Sequence, residues 1–199
     1  MLIKILYILL TYLCGSIPFA YIVAKANGKV DIRTVGSGNS GATNVFREIG
    51  KGAGAITLTA DVLKGFIPVY FATFIDNSFI YSVAVAAAIM SGHMFTIFLK
   101  FKGGKGVATG LGVFSAIMPL PSLIALSIFG LVFVLSRYVS LGSICAVISL
   151  PLTSYFLGYG TKPVIFTSAA AVLIIYRHRT NIKRLIERSE NKLRIFKKK

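Results

Sequence analysis

Gly92-His93-Met94-Phe95-Thr96-Ile97-Phe98-Leu99-Lys100-Phe101-Lys102-Gly103-Gly104-Lys105-Gly106-Val107-Ala108-Thr109-Gly110 is the stretch on which the reading of this chain turns. An apolar run enters it and another leaves it. Between them two adjacent glycines are flanked by lysines and followed by a third glycine. Glycine backbones approach a ligand closely, and consecutive N–H groups form a concave anion cradle. A helix beginning near Val107 aims its positive N-terminal end at the same turn. Lysine adds a mobile cation suited to phosphate. From this stretch alone two readings stand: a phosphate site at a membrane surface, or a tight turn whose basic residues obey the positive-inside rule.

Composition sets the surroundings. Of 199 residues 55% are hydrophobic, and six acidic side chains face 22 basic ones, for a net charge of +16. Uncharged apolar runs this long do not belong to a soluble basic protein, so nucleic acid is excluded as the partner. The charge instead marks cytoplasmic loops that meet anionic ligands and membrane lipid. Cys14 and Cys145 lie in apolar runs, which argues against a disulfide framework or a zinc site. The first apolar run follows Lys4, and Ala24-Lys25-Ala26 loosely resembles a cleavage site, but the run is too long for a signal-peptide core and reads as a membrane span. Without internal repeats or low-complexity linkers, residues 1–199 read as one integral membrane domain.

A spanning helix needs about 20 mostly apolar residues. Residues 3–24 satisfy this as one span, with Gly15 and Pro18 tolerable in a packed membrane helix. Residues 53–75 form a second span that carries Asp61 and Lys64, an i, i+3 pair that marks a functional site within the span or, the reading preferred here, a structural ion pair supporting the loops. Residues 79–99 form the third. Residues 107–136 exceed one span and contain Pro119 and Pro121, so they split into 107–118 and 121–136. Residues 139–158 and 163–176 complete an all-α membrane protein of about seven transmembrane helices. This arrangement collects Lys29, Arg33, Arg47, Lys51, Lys100, Lys102, Lys105, Arg137 and the basic tail on one side and leaves Lys4 and Lys162 on the other. The N-terminus is then outside and the C-terminus cytoplasmic.

Three unusual segments face the cytoplasm in this scheme. Residues 36–47 hold Gly36-Ser37-Gly38-Asn39-Ser40-Gly41-Ala42-Thr43-Asn44, rich in hydroxyl, amide and glycine, before Arg47. Residues 92–110 are the glycine–lysine turn. Residues 177–190 carry His178 and Asn181 on one face of a helix that continues out of the membrane. His178 suits proton transfer or phosphate binding, or simply snorkelling in a lipid-binding tail. His93 reads as a satisfied interhelical histidine, and the tail ending Lys197-Lys198-Lys199 as a lipid-attracting anchor. No Gly-x-Ser-x-Gly elbow, Walker loop or His-x-x-x-x-Asp pair is present, and no carboxylate cluster suits a metal. No metal or other cofactor is expected.

In their order the three segments resemble the bacterial acyl-phosphate:glycerol-3-phosphate acyltransferases, the PlsY family. The resemblance rests on Gly36 to Arg47, on Gly92-His93 with Phe98-Leu99 and Phe101 to Thr109, and on His178-Arg179, Asn181-Ile182, Arg184-Leu185 and Glu190. Asp61 with Lys64-Gly65, and Ser140-Leu141 with Ser143, are smaller matches. Thr96 stands where the family commonly has proline, Ser40 occupies a position often proline or aliphatic, and Glu187-Arg188-Ser189 replaces a glycine-containing linker.

The resemblance implies a multi-pass protein of the bacterial cytoplasmic (inner) membrane that transfers a long acyl chain from acyl phosphate to the 1-hydroxyl of glycerol 3-phosphate. Lysophosphatidic acid and phosphate are the products, and neither acyl-CoA nor acyl carrier protein is the donor. It carries over essential roles for Ser37 and Arg47 and strong effects for His178 and Asn181. Arg47 and Lys105 are expected to clamp phosphate. Gly38, Asn39, Ser40, Gly41, Ala42, Thr43 and Asn44 are expected to cradle one head group, and Lys102, Gly103, Gly104 and Gly106 the other, with Ser143 nearby. An acyl phosphate is already activated, so Ser37 is expected to position the hydroxyl, and the base is either His178 or a phosphoryl oxygen of the donor. The alternative class is a small membrane transporter for a phosphorylated anion, which basic loops, a buried ion pair and broken helices also suit.

Overall fold

The computed structural model describes residues 1–28 and 30–193; the cation Lys29 and the end of the basic tail, 194–199, lie outside the described residues. Every regular element among the described residues is helical. Five stretches are long and apolar enough to cross a membrane: Leu2–Gly28, Lys51–Ile75, Phe79–Leu99, Pro119–Ser136 and Val139–Phe156. Two compact units divide the chain, Met1–Ile117 and Met118–Lys199.

In the first unit the expected single span 3–24 is broken. Helix α1 (Leu2–Ser16) stops at Ile17, and α2 (Phe19–Gly28) restarts beyond Pro18. Proline lacks an N–H and its ring pushes the preceding residue out of helical geometry; Ile17 sits at φ −58°, ψ 116°. A short α3 (Ala42–Glu48) precedes the long α4 (Lys51–Ile75). Helix α5 (Phe79–Met94) ends before the expected residue 99, and a single 3-10 turn, Ile97–Leu99, follows. Helix α6 (Val107–Ile117) closes the unit.

Glycines allow these helices to touch along their backbones. A Cβ on Gly15 would lie 2.3 Å from the Ile89 carbonyl oxygen, and one on Gly92 would lie 2.2 Å from that of Tyr12, so α1 and α5 pack backbone to backbone. Gly65 and Gly112 do the same between α4 and α6, against the carbonyls of Thr109 and Val62. In lipid, where apolar burial drives helices together weakly, close small-residue packing of this kind holds a bundle. Ala20, Val23, Ala24, Ile32 and Val45 form a buried cluster that ties the loop after α2 to α3. That cluster sets the position of residues 36–47.

In the second unit the split at the two prolines is found. Helix α7 runs Pro119–Ser136, with proline at its first helical position, where the missing N–H costs nothing. Helix α8 (Val139–Phe156) packs against α7 and α9 (Thr161–Arg177). The expected continuous exit helix is interrupted: α9 ends at Arg177, His178 forms the joint, and α10 (Arg179–Ile186) begins anew. The His178 N–H donates to the carbonyls of Ile174 and Ile175 at this joint.

Candidate active site

The polar features of the first unit converge where α1 breaks. Lys64 Nζ lies 2.7 Å from Asp61 Oδ1, with both side chains buried. The same ammonium donates to the Ile17 carbonyl oxygen at 2.9 Å, the acceptor exposed by the proline break, and lies 5.4 Å above the Phe19 ring. The pair forms, as its spacing implied, and it braces the break. His93 Nδ1 is 3.7 Å from Asp61 Oδ1. Around these groups lies a small, partly open pocket lined by Ser16, Ser40, Asp61, Lys64, His93, Thr96, Gly103 and Gly104 among others. Ser40 belongs to the first polar segment and Gly103-Gly104 to the second, so the fold brings these two segments to one place.

Local geometry explains how each segment is shaped. In the first, Gly36 (φ 58°) and Gly38 (φ 68°) occupy left-handed conformations on either side of Ser37, a geometry open to glycine at little cost. Ser37 is therefore carried on an exposed turn. Asn44, expected to cradle a head group, is buried, and its amide is committed to the loop. Its Oδ1 accepts the Ser37 N–H at 3.0 Å, and its Nδ2 donates to the carbonyls of Ile32 and Val35, both at 3.0 Å. Asn44 shapes the loop that presents Ser37. Arg47 lies half-buried in the last turn of α3.

The second segment turns sharply. Thr96 Oγ1 donates to the Ser16 carbonyl oxygen at 2.5 Å and also accepts from the Phe98 N–H. Thr96 itself adopts φ −66°, the angle that a proline would impose, so the chain leaves the α5 helix here without proline. Lys100 (φ 52°) and Phe101 (φ 61°) then adopt left-handed conformations, costly for a bulky aromatic. They return the chain onto the end of α5, where the Gly103 N–H donates to the Met94 carbonyl and the Gly104 N–H to that of His93, each at 3.1 Å. These N–H groups, expected to face an anion, are engaged by α5 instead. The glycines are required because a Cβ on Gly103 would lie 2.0 Å from the His93 carbonyl oxygen, and one on Gly104 would lie 2.3 Å from His93 Nε2. Lys102 is exposed and Lys105 half-buried beside Gly106, whose φ of 88° opens α6.

In the second unit a carboxylate missed as a site residue organises the third segment. Glu190 Oε1 accepts from Asn181 Nδ2 at 2.7 Å and from Ser140 Oγ at 2.9 Å, while Oε2 accepts from Arg184 Nε at 2.7 Å. Burial pushes its pKa up, but the hydrogen bonds from Arg184, Asn181 and Ser140 outweigh it and hold the carboxyl below the ordinary glutamate range. Its signal was visible: an acid closing a basic stretch. His178 is buried, with Nδ1 donating to the Ile174 carbonyl at 2.8 Å, which fixes the tautomer. Ser143 is also buried, its hydroxyl donating to the Val139 carbonyl at 2.8 Å. Among the described residues no group of three or more His, Cys, Asp and Glu side chains is placed to hold a metal.

Comparison with known proteins carries these features further. The model of a family described as glycerol-3-phosphate acyltransferase matches residues 5–188. A glycerol-3-phosphate acyltransferase from Endomicrobium trichonymphae is 87% identical over 199 residues, covering all of both chains. One from Geotalea daltonii is 46% identical over 195 residues, covering 98% of each. The crystal structure of PlsY, an integral membrane glycerol 3-phosphate acyltransferase, in its glycerol 3-phosphate form superposes with a TM-score of 0.91 at 42% identity and covers 96% of each chain. Its lysophosphatidic acid form gives 0.88 at 41% identity, covering 96% of this chain and 95% of that one. Matched along nearly its whole length in both sequence and fold, this integral membrane chain belongs to the glycerol-3-phosphate acyltransferase family.

Proposed function

We propose that the protein transfers a long-chain acyl group from acyl phosphate to the 1-hydroxyl of glycerol 3-phosphate, the first acylation of phospholipid synthesis. It would do so in the bacterial cytoplasmic membrane, as seven spans with the N-terminus outside and the catalytic segments in the cytoplasm. For that count α6 and α9 act as spans alongside the five longer stretches. The family model runs through both compact units, which supports reading 1–199 as one acyltransferase domain. Family membership also displaces the transporter alternative.

The observation that carries the mechanism is the convergence of the two glycine-rich segments on one polar pocket in the first unit. Both substrates bear phosphate, and residues 36–47 and 92–110 supply cations and contain no carboxylate of their own, while the Asp61 carboxylate in the pocket is paired with Lys64. Arg47 clamps a phosphate bidentately. Lys102 and Lys105, with Gly106 and the start of α6, neutralise another, while Gly103 and Gly104 form the packed floor of that turn. Ser37, lifted by its flanking glycines, aligns the attacking hydroxyl; Gly38 to Thr43 surround it and Asn44 holds the loop. Attack forms a carbon–oxygen bond at the acyl carbon and breaks the bond to phosphate. The hydroxyl proton passes to a base, for which the two candidates are His178 and a phosphoryl oxygen of the donor. Glu190 holds Asn181 in place for its part in the reaction, and Ser143, its proton engaged, offers only acceptor lone pairs.

The test is acyl transfer by the purified protein with glycerol 3-phosphate and palmitoyl phosphate, palmitoyl-CoA or palmitoyl carrier protein. Lysophosphatidic acid is expected from acyl phosphate alone, and turnover of either thioester refutes the donor assignment. Arg47→Lys, which keeps charge but loses the fork, is expected to lower kcat/KM by about 100-fold, or about 2.7 kcal/mol. Near wild-type turnover by Ser37→Ala would remove Ser37 from the mechanism. Intact kcat with raised KM in His178→Ala would assign His178 to binding and leave proton transfer to the donor phosphate.

A further inference from the structure

We infer that His93 is a positioning residue whose imidazole, braced by the Asp61–Lys64 pair, serves as the template on which the Gly103-Gly104 turn is set. The inference rests on the reading of that turn as a phosphate-binding element.

The imidazole lies between a charged brace and the turn. Its Nδ1 side faces Asp61 Oδ1 at 3.7 Å, and Asp61 is held in turn by Lys64 at 2.7 Å. Lys64 is anchored on the Ile17 carbonyl at the α1 break. The opposite ring edge faces Gly104, where Nε2, Cε1 and Cδ2 are the atoms that an added Cβ would meet, at 2.3, 2.8 and 3.3 Å. No other atom lies among the three nearest to that position, and Gly104 is not in the left-handed region. Gly104 is therefore glycine because of His93, not because of its own backbone angles. The main chain repeats the arrangement, since the His93 carbonyl accepts the Gly104 N–H at 3.1 Å. Side chain and backbone of one residue thus set both the height and the direction of the turn that delivers Lys102 and Lys105.

This assigns His93 an indirect role. It is 7% exposed, and within the pocket that it lines with Gly103 and Gly104 its ring edge packs against Gly104. Its removal loosens the turn and weakens phosphate binding, leaving the chemical step largely intact.

The experiment is a steric double-mutant cycle in the full-length protein, read as kcat and KM for glycerol 3-phosphate and palmitoyl phosphate. His93→Ala is expected to raise KM for one of the two phosphorylated substrates about 10-fold, with kcat within about threefold of wild type. Gly104→Ala, which drives a methyl into the imidazole, is expected to lower kcat/KM by about 100-fold or more. His93→Ala/Gly104→Ala removes the collision and is expected to return to the level of His93→Ala alone. If Gly104→Ala expresses poorly, the same relief is read in the unfolding temperature of the double variant. A double variant no better than Gly104→Ala overturns the template, and so does a His93→Ala variant that loses kcat with KM unchanged. Gly104→Ala with KM unchanged for both substrates counts instead against the glycine turn as a phosphate element.

Discussion

Glu190→Gln is the sharpest test of how the second unit is held. The carboxylate accepts three hydrogen bonds, two on Oε1 from Ser140 and Asn181 and one on Oε2 from Arg184. Glutamine matches its shape but must place an NH2 group on one side. With its oxygen toward Ser140 and Asn181, the amide nitrogen faces Arg184 Nε, donor against donor. One hydrogen bond between charged groups is lost, about 1.5–3 kcal/mol, and the guanidinium loses its acceptor. The Arg184 side chain is 33% exposed, so water replaces part of that loss, and the net cost is about 1–2 kcal/mol. At about 2–4 °C per kcal/mol for a chain of this size, the melting temperature in detergent should fall by about 2–8 °C near neutral pH.

The pH dependence follows from the direction of the Glu190 shift. Its folded-state pKa lies below the ordinary glutamate value of 4.5. The folded carboxylate binds protons less readily than the unfolded one, so its stabilisation is fully present above about pH 4.5 and is lost as pH falls through the depressed folded value. Wild type and Glu190→Gln should therefore differ by a constant amount from pH 7 to about pH 5.5 and converge below about pH 4.5. Equal melting temperatures at pH 7, or a gap that widens on acidification, would refute the reasoning.

Two further predictions concern helix contacts and the Asp61–Lys64 pair. Gly92→Ala places a Cβ 2.2 Å from the Tyr12 carbonyl and should cost about 3 kcal/mol or more by forcing α1 from α5, whereas Gly130→Ala, with open space around it, should be neutral or stabilising by about 0.5–1 kcal/mol; equal melting temperatures would refute the close-contact account. Lys64→Met leaves the Asp61 carboxylate buried without its counter-ion and should cost about 3–5 kcal/mol. Adding Asp61→Asn should recover most of that, and a double variant no more stable than Lys64→Met would show that the pair is not what holds the α1 break.

What the residues alone determine here is membrane residence, the set of apolar segments, the split ahead of Pro119, the Asp61–Lys64 pairing and the family. Each follows from local quantities: run length, a missing N–H, i, i+3 spacing and motif order. The α1 break at Pro18 was not decided that way, because a proline in an apolar run is compatible with both a tolerated kink and a stop. The outcome depends on whether a distant donor satisfies the freed carbonyl, and Lys64 on α4 does so. The roles of Asn44, Gly103, Gly104 and Glu190 were likewise hidden. A glycine or an asparagine reads the same whether it faces a ligand or supports the neighbouring turn, and only tertiary packing reveals that α5 takes up the Gly103 and Gly104 N–H groups and that the loop takes up the Asn44 amide. Composition selects residues able to bind phosphate; long-range hydrogen bonds and backbone contacts decide which of them face outward to do it.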